Sequence, residues 1–174
     1  VTVCLAGTKH RSHGAILLTH WGISGPAILK LSSYAARHLA GNDYKGTIAI
    51  NWCGGENEET VRQSLGTMIA STAQKLITNA YPQHLTQAHW LVMLERTGVP
   101  VTQRWGALNK KHINRLVTIL TADVHHITGR CHFKEEFVTA GGISLSEINI
   151  KTMESKRYPG LYFAGEVLDV DAIT

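Results

Sequence analysis

Apolar and polar residues alternate loosely over residues 1–6, which predicts a short strand, and the compact apolar run at 15–18 predicts a second. The polar stretch between them, 8–13, reads as a turn. His20-Trp21-Gly22-Ile23-Ser24-Gly25-Pro26 then leads from that second strand into a helix over 27–39, with Ser24 as N-cap and Pro26 in the first turn, where its missing N–H costs nothing. Ile28, Leu31, Ala35 and Leu39 recur at three-to-four spacing and give this helix one buried stripe, and Gly41-Asn42-Asp43 ends it. Residues 47–52 alternate again, placing Ile48, Ile50 and Trp52 on one face of a half-buried strand that Gly54-Gly55 breaks.

The period then changes. From residue 57 to about 121 the spacing is helical. Glu58, Glu59 and Thr60 open a helix with apolar positions at Val61, Leu65, Met68, Ile69 and Leu76, its acids suited to the positive end of the helix dipole, and Tyr81-Pro82 closes it. A second helix spans about 84–96 and stops at Gly98; a third follows the N-cap residue Asn109 and buries Ile113, Leu116, Val117 and Leu120. Three helices with short connections predict a small antiparallel bundle set between β segments. Strand patterning returns at 124–128 and 136–139, residues 151–159 read as a loop or edge, and the continuous apolar run 161–164, ending at Gly165, has the pattern of a buried parallel strand. The chain is therefore expected to be α+β, in four stretches: a β-rich part with one helix (1–54), a helical bundle (55–121), a β-rich return (122–149) and a final segment (150–174).

Composition narrows the class. At 174 residues, 44% hydrophobic and 17% charged, the chain has the size and apolar content of about one domain, and disorder, collagen and coiled coil are excluded. No apolar run approaches the roughly 18 residues of a membrane helix, and Val1 to Gly7 lacks the basic start of a signal peptide. Three widely spaced cysteines, Cys4, Cys53 and Cys131, form no disulfide framework, which suits a reducing cytoplasm. The net charge is +4, and Lys9, Arg11, Lys30 and Arg37 all precede the first acid, Asp43. The absence of an initiating Met, and an end at 169–174 directly after an apolar strand, predict a piece of a longer protein.

Several short patterns could carry chemistry. Gly22-Ile23-Ser24-Gly25-Pro26 approaches a nucleophile elbow, but proline stands where G-x-S-x-G has its last glycine, and a helix cap explains Ser24 without catalysis. His125, His126, Cys131 and His132 are zinc-ligand types, yet His125 and His126 are adjacent and point to opposite faces of a strand, so no metal site is expected. Val138-Thr139-Ala140-Gly141-Gly142 is a strand ending in two glycines, a turn able to bring backbone amides close to a flat ligand or an anion. Leu161-Tyr162-Phe163-Ala164-Gly165-Glu166 places a glycine and then a carboxylate at a strand end, where a sugar or ribityl hydroxyl could donate to it; Asp169 and Asp171 follow in the same loop. His20 and Glu166 are conceivable acid–base groups, and no residue is assigned as catalytic.

Three segments together resemble a family of bacterial NAD(P)/FAD-dependent, aminoacetone-oxidase-like flavoproteins. They are Leu17-Leu18-Thr19-His20-Trp21-Gly22-Ile23-Ser24-Gly25-Pro26-Ala27-Ile28-Leu29, then Val138-Thr139-Ala140-Gly141-Gly142-Ile143-Ser144, and Lys151-Thr152-Met153-Glu154-Ser155-Lys156 continuing from Pro159-Gly160 through Asp171. The last is the most specific; the helical middle matches only in pattern, and Ala172 stands where that family usually has glycine. The resemblance implies a β-barrel-like insert with a small three-helix bundle, then a C-terminal strand belonging to an incomplete FAD-binding α/β domain. The bundle is similar in outline to a helix–two-turn–helix module of ribosomal-protein type. The resemblance also implies FAD as cofactor, NAD(P)H as a candidate electron donor, and the absent FAD-binding domain of the same chain as partner, since no G-x-G-x-x-G is present. Thr139, Ala140, Gly141 and Gly142 would lie near the isoalloxazine, and Gly165 and Glu166, with Asp169 and Asp171, near the ribityl and phosphate region. Such a chain would have no activity alone, and its substrate is an unidentified small molecule. The rival expectation is a nucleic-acid or protein-binding module using the basic opening and the bundle; against it, the basic residues do not cluster within the bundle and no aromatic stacking platform is evident.

Overall fold

The computed structural model describes residues 1–131 and 141–170. The main sheet is antiparallel, in the order β2-β1-β5-β6: β1 is Thr2–Leu5, β2 Arg11–His13, β5 Gly46–Asn51 and β6 Asp123–Ile127. Val3 pairs with Ile50, and Ile50 in turn with Asp123, so one register line crosses three strands. Ile48 and Ile50 are buried on one face of β5 and Trp52 lies buried just beyond it, as their alternation requires. Two features of this sheet depart from expectation. The polar stretch 8–13 ends in strand β2, whose Ser12 is buried and donates to the carbonyl of Ala27 at 2.5 Å. And among the described residues the sheet is open, with β2 and β6 as edges, so no closed barrel forms.

The strand expected at 15–18 is present as β3 (Leu17–Thr19), and it pairs in a separate hairpin with β4 (Gly22–Ser24), which lies in the segment expected to be a plain connection. Ser24 pairs with Leu17 in that hairpin and does not cap the helix; the cap position is Gly25, at φ +100° and without a side-chain acceptor. A Cβ on Gly25 would lie 2.9 Å from Ile16 Cα and Leu17 N, so only glycine fits where the hairpin meets the helix. Pro26 does sit in the first turn. The helix expected over 27–39 is two, α1 (Pro26–Tyr34) and α2 (Ala36–Gly41), broken at the fully buried Ala35. Ser32 and Ser33 precede the break, and the Ser32 hydroxyl takes the carbonyl of Leu29 at 2.9 Å, a local bond that competes with helix continuation.

Between β5 and β6 the chain forms α3 (Glu58–Thr72), α4 (Gln87–Thr97) and α5 (Lys110–Thr121). Asn57, Thr86 and Asn109 each accept a backbone N–H of their own first turn, and Gly98 ends α4 in the left-handed region at φ +67°. Helix α3 stops at Thr72, nine residues short of the expected Tyr81, because Ser71 and Thr72 turn their hydroxyls back onto helix carbonyls and the connector is held elsewhere. Trp90 and Trp105 stack at 6.0 Å and donate their indole N–H groups to the carbonyls of Ile77 and Ala80, so two buried indoles fix the segment after α3. One hydrophobic core runs through sheet and bundle, from Val3, Ile48 and Ile50 to Leu94, Leu116 and Leu120.

The C-terminal segment packs differently. Ile148 and Leu168 are buried outside that core, around a two-stranded hairpin of β7 (Ile148–Asn149) and β8 (Glu154–Ser155). The run 161–164, expected to be a buried strand, is not one: it contributes a single bridge, Tyr162 to Glu154, and Leu161 and Tyr162 are 43% and 60% exposed. A buried parallel strand needs neighbours on both edges and cover on both faces, and among the described residues this run has one bridge, with Leu161, Tyr162 and Ala164 exposed and Phe163 half-buried. The strand expected at 136–139 lies outside the described residues. No described helix is long and apolar enough to cross a membrane.

Candidate functional site

The two glycine-bearing turns singled out in the sequence, more than twenty residues apart, are brought together. Ile143 and Leu168 form a parallel bridge: the N–H of Ile143 donates to the carbonyl of Val167 at 2.9 Å and that of Asp169 to the carbonyl of Ile143 at 2.9 Å. Gly142, at φ +148°, makes the approach possible, since a Cβ there would lie 2.6 Å from the carbonyl carbon of Leu168 and from the carbonyl oxygen of Val167. At this position the close neighbour is therefore the chain itself. Gly141 (φ +105°) and Gly165 (φ +76°) have open space where a Cβ would stand. The short 3-10 turn Gly165–Val167 carries Glu166, which is exposed. The hairpin behind the turns is cross-braced: Glu154 accepts the N–H of Gly160 at 2.7 Å, and Arg157 pairs with Glu147 at 2.5 Å. Asp169 is committed to Arg37 of α2 at 2.6 Å, an ion pair that ties the clasp to the sheet part across 132 residues. Thr139, Ala140 and Asp171 lie outside the described residues. Gly141, Gly142, Gly165, Glu166 and Asp169 thus belong to one cluster, with Gly141, Gly165 and Glu166 left facing open space or solvent.

A second constellation, which sequence patterning does not reveal, joins sheet to bundle. Asp123, at the start of β6, is buried; its Oδ2 accepts from Trp52 Nε1 at 3.0 Å, from Arg96 of α4 at 2.9 Å and from His125 Nε2 at 2.9 Å, while its Oδ1 lies 2.6 Å from the same guanidinium. Burial raises the carboxyl pKa, but the three hydrogen bonds outweigh burial and hold it below the ordinary value. His89 packs edge-on against Trp52 at 4.0 Å, and burial lowers its pKa despite the carboxylate nearby.

A cleft of about 410 Å³ opens between sheet and bundle, with Cys53, Glu56, His84, His13 and Trp52 in its wall. The Cys53 thiol and His84 Nε2 are 3.8 Å apart. Burial, and then Glu56, push the thiol up to about 11, and burial lowers His84, so the pair is neutral and is not an activated thiolate–imidazolium dyad. The expected labelling follows: at mildly alkaline pH iodoacetamide modifies exposed Cys4 and Cys131 first and Cys53 at least tenfold more slowly, by peptide mass spectrometry. Labelling of Cys53 at an equal rate would contradict the neutral pair.

The other chemical candidates are placed apart. Ser24 has no hydrogen bond to an imidazole among the described residues and lies in a hairpin strand. His125 is held by Asp123 and His126 by Thr47 at 3.2 Å, Cys131 is exposed, and His132 lies outside the described residues. Among the described residues no three His, Cys, Asp or Glu side chains converge as metal ligands would.

An open antiparallel sheet, a helical bundle inserted between two of its neighbouring strands, and a glycine clasp beyond it define a two-part α+β domain of the barrel-and-bundle kind. The chain belongs to the HI0933-like protein barrel and H2TH domain family, whose profile matches residues 1–138. It is 30% identical to a ribosomal RNA dihydrouridine synthase of Escherichia coli over 172 residues, covering 94% of this chain and 38% of that protein. It is 29% identical to the ribosomal RNA dihydrouridine synthase of Haemophilus influenzae over 91% of this chain and 37% of the relative, and 26% identical to a 3-dehydro-bile acid delta(4,6)-reductase of Clostridium scindens over 92% and 39%. The chain thus spans about two fifths of the length of these relatives.

Proposed function

We propose that this chain is the insert, substrate-side part of an FAD-dependent oxidoreductase, with NAD(P)H as the electron donor, and that it has no activity by itself. The proposal includes the division at 54/55, 121/122 and 149/150, a separate FAD-binding domain of the same polypeptide as partner, and a cytoplasmic setting. The observation that carries it is the clasp: two turns that resemble flavin-contacting segments meet at Ile143 and Leu168. The residues present fit one side of such a cofactor. Gly141 and Gly165 hold positive φ with room where side chains would stand, which lets a flat ring or a phosphate approach the backbone, and exposed Glu166 offers an acceptor for a ribityl hydroxyl. Asp169, paired with Arg37, positions that turn. Bound there, FAD would supply the hydride chemistry, and these residues would bind and orient it.

Exposed apolar side chains support the same reading. Leu17, Ile150 and Tyr162 are 58%, 60% and 60% exposed, and a further domain packed over the hairpin and clasp would cover them. The test is flavin retention. This chain, incubated with FAD and desalted, is expected to come off colourless, whereas a polypeptide of the relatives' length is expected to hold about one flavin by absorbance. Stoichiometric FAD on this chain alone would refute the division, and a flavin-free long polypeptide would refute the flavoprotein reading.

A further inference from the structure

The cleft between sheet and bundle is separate from the clasp, since no described residue beyond Leu120 lines it. Its inner surface is apolar, formed by buried Trp52, Val61, Leu65 and Leu120, and its rim is polar, with exposed His13, Glu56, Ser64 and His84. The volume of about 410 Å³ falls in the range of small-molecule pockets, roughly 300–1,000 Å³. The walls are set before any ligand arrives. Asn51, at the end of β5, accepts the N–H groups of Cys53 and Gly55 on its Oδ1 at 2.9 and 3.1 Å, and its Nδ2 donates to the carbonyl of Glu56 at 2.8 Å. One side chain thus fixes the whole turn that carries Cys53 and Glu56. The Trp52 indole N–H is anchored by Asp123 at 3.0 Å, and His13 Nδ1 lies 3.0 Å from Thr2 Oγ1. A pocket fixed in this way loses little freedom when it is filled.

Charge selects the occupant. Among the described residues that line the cleft, Glu56 alone is an Asp, Glu, Lys or Arg, although the chain carries a net +4. Its carboxylate has no hydrogen bond or ion pair among the described residues. Both titratable neighbours sense it. Burial is the larger effect on the Cys53 thiol and on His84, and after burial Glu56 raises both. At His84 the pull of Glu56 exceeds the opposite push of the Val1 ammonium, which is bonded to the carbonyl of Gly14 at 3.0 Å. Thiol and imidazole are neutral, so they neither repel a cation nor balance an anion. The field in the cleft is therefore negative, and its apolar inner wall concentrates that field. A carboxylate or phosphate would meet it with no basic side chain in the lining to offset it. A bare divalent ion finds no three ligands there among the described residues.

We infer that this cleft binds a small organic ammonium with an apolar body of about one ring, its charge set against Glu56 and its body over Trp52, Leu65 and Leu120. The apolar inner surface rewards the body, which a small hydrated ammonium lacks, and the unpaired carboxylate at the rim rewards the charge, which a neutral ring lacks. The site goes beyond the flavin reading, shares no residue with the clasp and needs no flavin.

The experiment is an NMR titration of this chain with phenethylamine at neutral pH, where the amine is charged, read on the imidazole Cε1–H signals, with H13N and H84N supplying the assignments. The signals of His13 and His84 are expected to shift together, with half-saturation at about 1 mM for a ligand of this size, while those of His20 and His38, exposed and outside the cleft, stay in place. Uncharged 2-phenylethanol and anionic phenylacetate are expected to bind roughly fivefold more weakly or worse, and methylammonium to move neither signal. Glu56 is exposed and joins the fold through its backbone carbonyl, so E56Q is expected to keep its Tm and to bind phenethylamine roughly fivefold more weakly. Ser64 is exposed on α3, and S64F fills the cleft while leaving the carboxylate intact; it is expected to abolish the shifts. Unmoved His13 and His84 at ten times the expected concentration, equal affinity for the amine, the alcohol and the acid, full affinity in E56Q or S64F, or equal shifts at His20 and His38 would each overturn the inference. None of these results bears on flavin retention, so the oxidoreductase reading stands or falls separately.

Discussion

Substituting Gly142 with alanine is expected to open the clasp between residues 143 and 168 while leaving the sheet and bundle folded. The added Cβ meets backbone atoms of Val167 and Leu168 at 2.6 and 2.6–2.7 Å, and backbone does not swing aside as a side chain end does. At φ +148° a Cβ-bearing residue is also strained before any contact is counted. Together these effects cost about 3 kcal/mol against the closed form. The buried residues nearby, Ile148 and Leu168, lie outside the main core, so the expected loss is local. Hydrogen exchange reads it directly: the amides of Ile143 and Asp169, both bonded at 2.9 Å across the clasp, lose protection, and the amides of β5 keep theirs. Unchanged protection at those two amides would mean that the approach is not as close as described. In the flavin-bearing polypeptide the same change is expected to lower FAD retention, since it separates the two turns proposed to face the cofactor.

The second large effect is at Asp123. The D123A variant is expected to lose about 3–5 kcal/mol in urea unfolding at neutral pH, because it leaves the Trp52 indole N–H and the inner face of Arg96 without their acceptor in a buried place. The pH dependence has a definite sign. The folded carboxyl titrates below its ordinary 3.8, so its contribution is present above that value and is lost as pH falls through the lower folded one. D123N, which cannot ionise, is expected to be less stable than the parent at neutral pH, and the gap is expected to close as pH drops below 3.8. A gap of constant size down to strong acid would show that the charge contributes nothing and that only shape matters.

What the sequence discloses, and what it hides, follows the range of each interaction. Asn109 as a cap, Gly98 as a stop, Pro26 in a first turn and the Ile48–Ile50–Trp52 face all depend on residues within a turn or two of one another, and each stands where its local pattern puts it. Ser24 misleads because a hairpin partner seven residues earlier claims it for a strand, which a cap rule does not weigh. The 27–39 stripe is periodic enough for one helix, yet the break at Ala35 comes from packing and serine back-bonding. The 161–164 run shows that an apolar stretch specifies a wish to be covered and not the thing that covers it. In the candidate site, the glycines and Glu166 are readable as types, whereas the Ile143–Leu168 bridge and the Arg37–Asp169 pair join residues that no local pattern connects. The Asp123 constellation is equally hidden: an acid at the head of a strand with a histidine two residues on, on the same face, is the signal that marks it.

The register of β5 on β6 has an architectural consequence. Ile50 faces Asp123 across the ladder, so the chain leaves the sheet and comes back to it at the same rung, with the whole bundle in between. Residues 51–122 are a cassette that could be exchanged for another helical unit only if that unit brings an apolar face to cover Ile48 and Ile50, since one core runs through sheet and bundle. The tether that any replacement must respect is Asp123 itself, whose counter-charge arrives from α4 and would depart with the cassette. A swap must carry both an arginine at the equivalent of Arg96 and an indole N–H at the equivalent of Trp52, or the buried carboxylate is left without its donors.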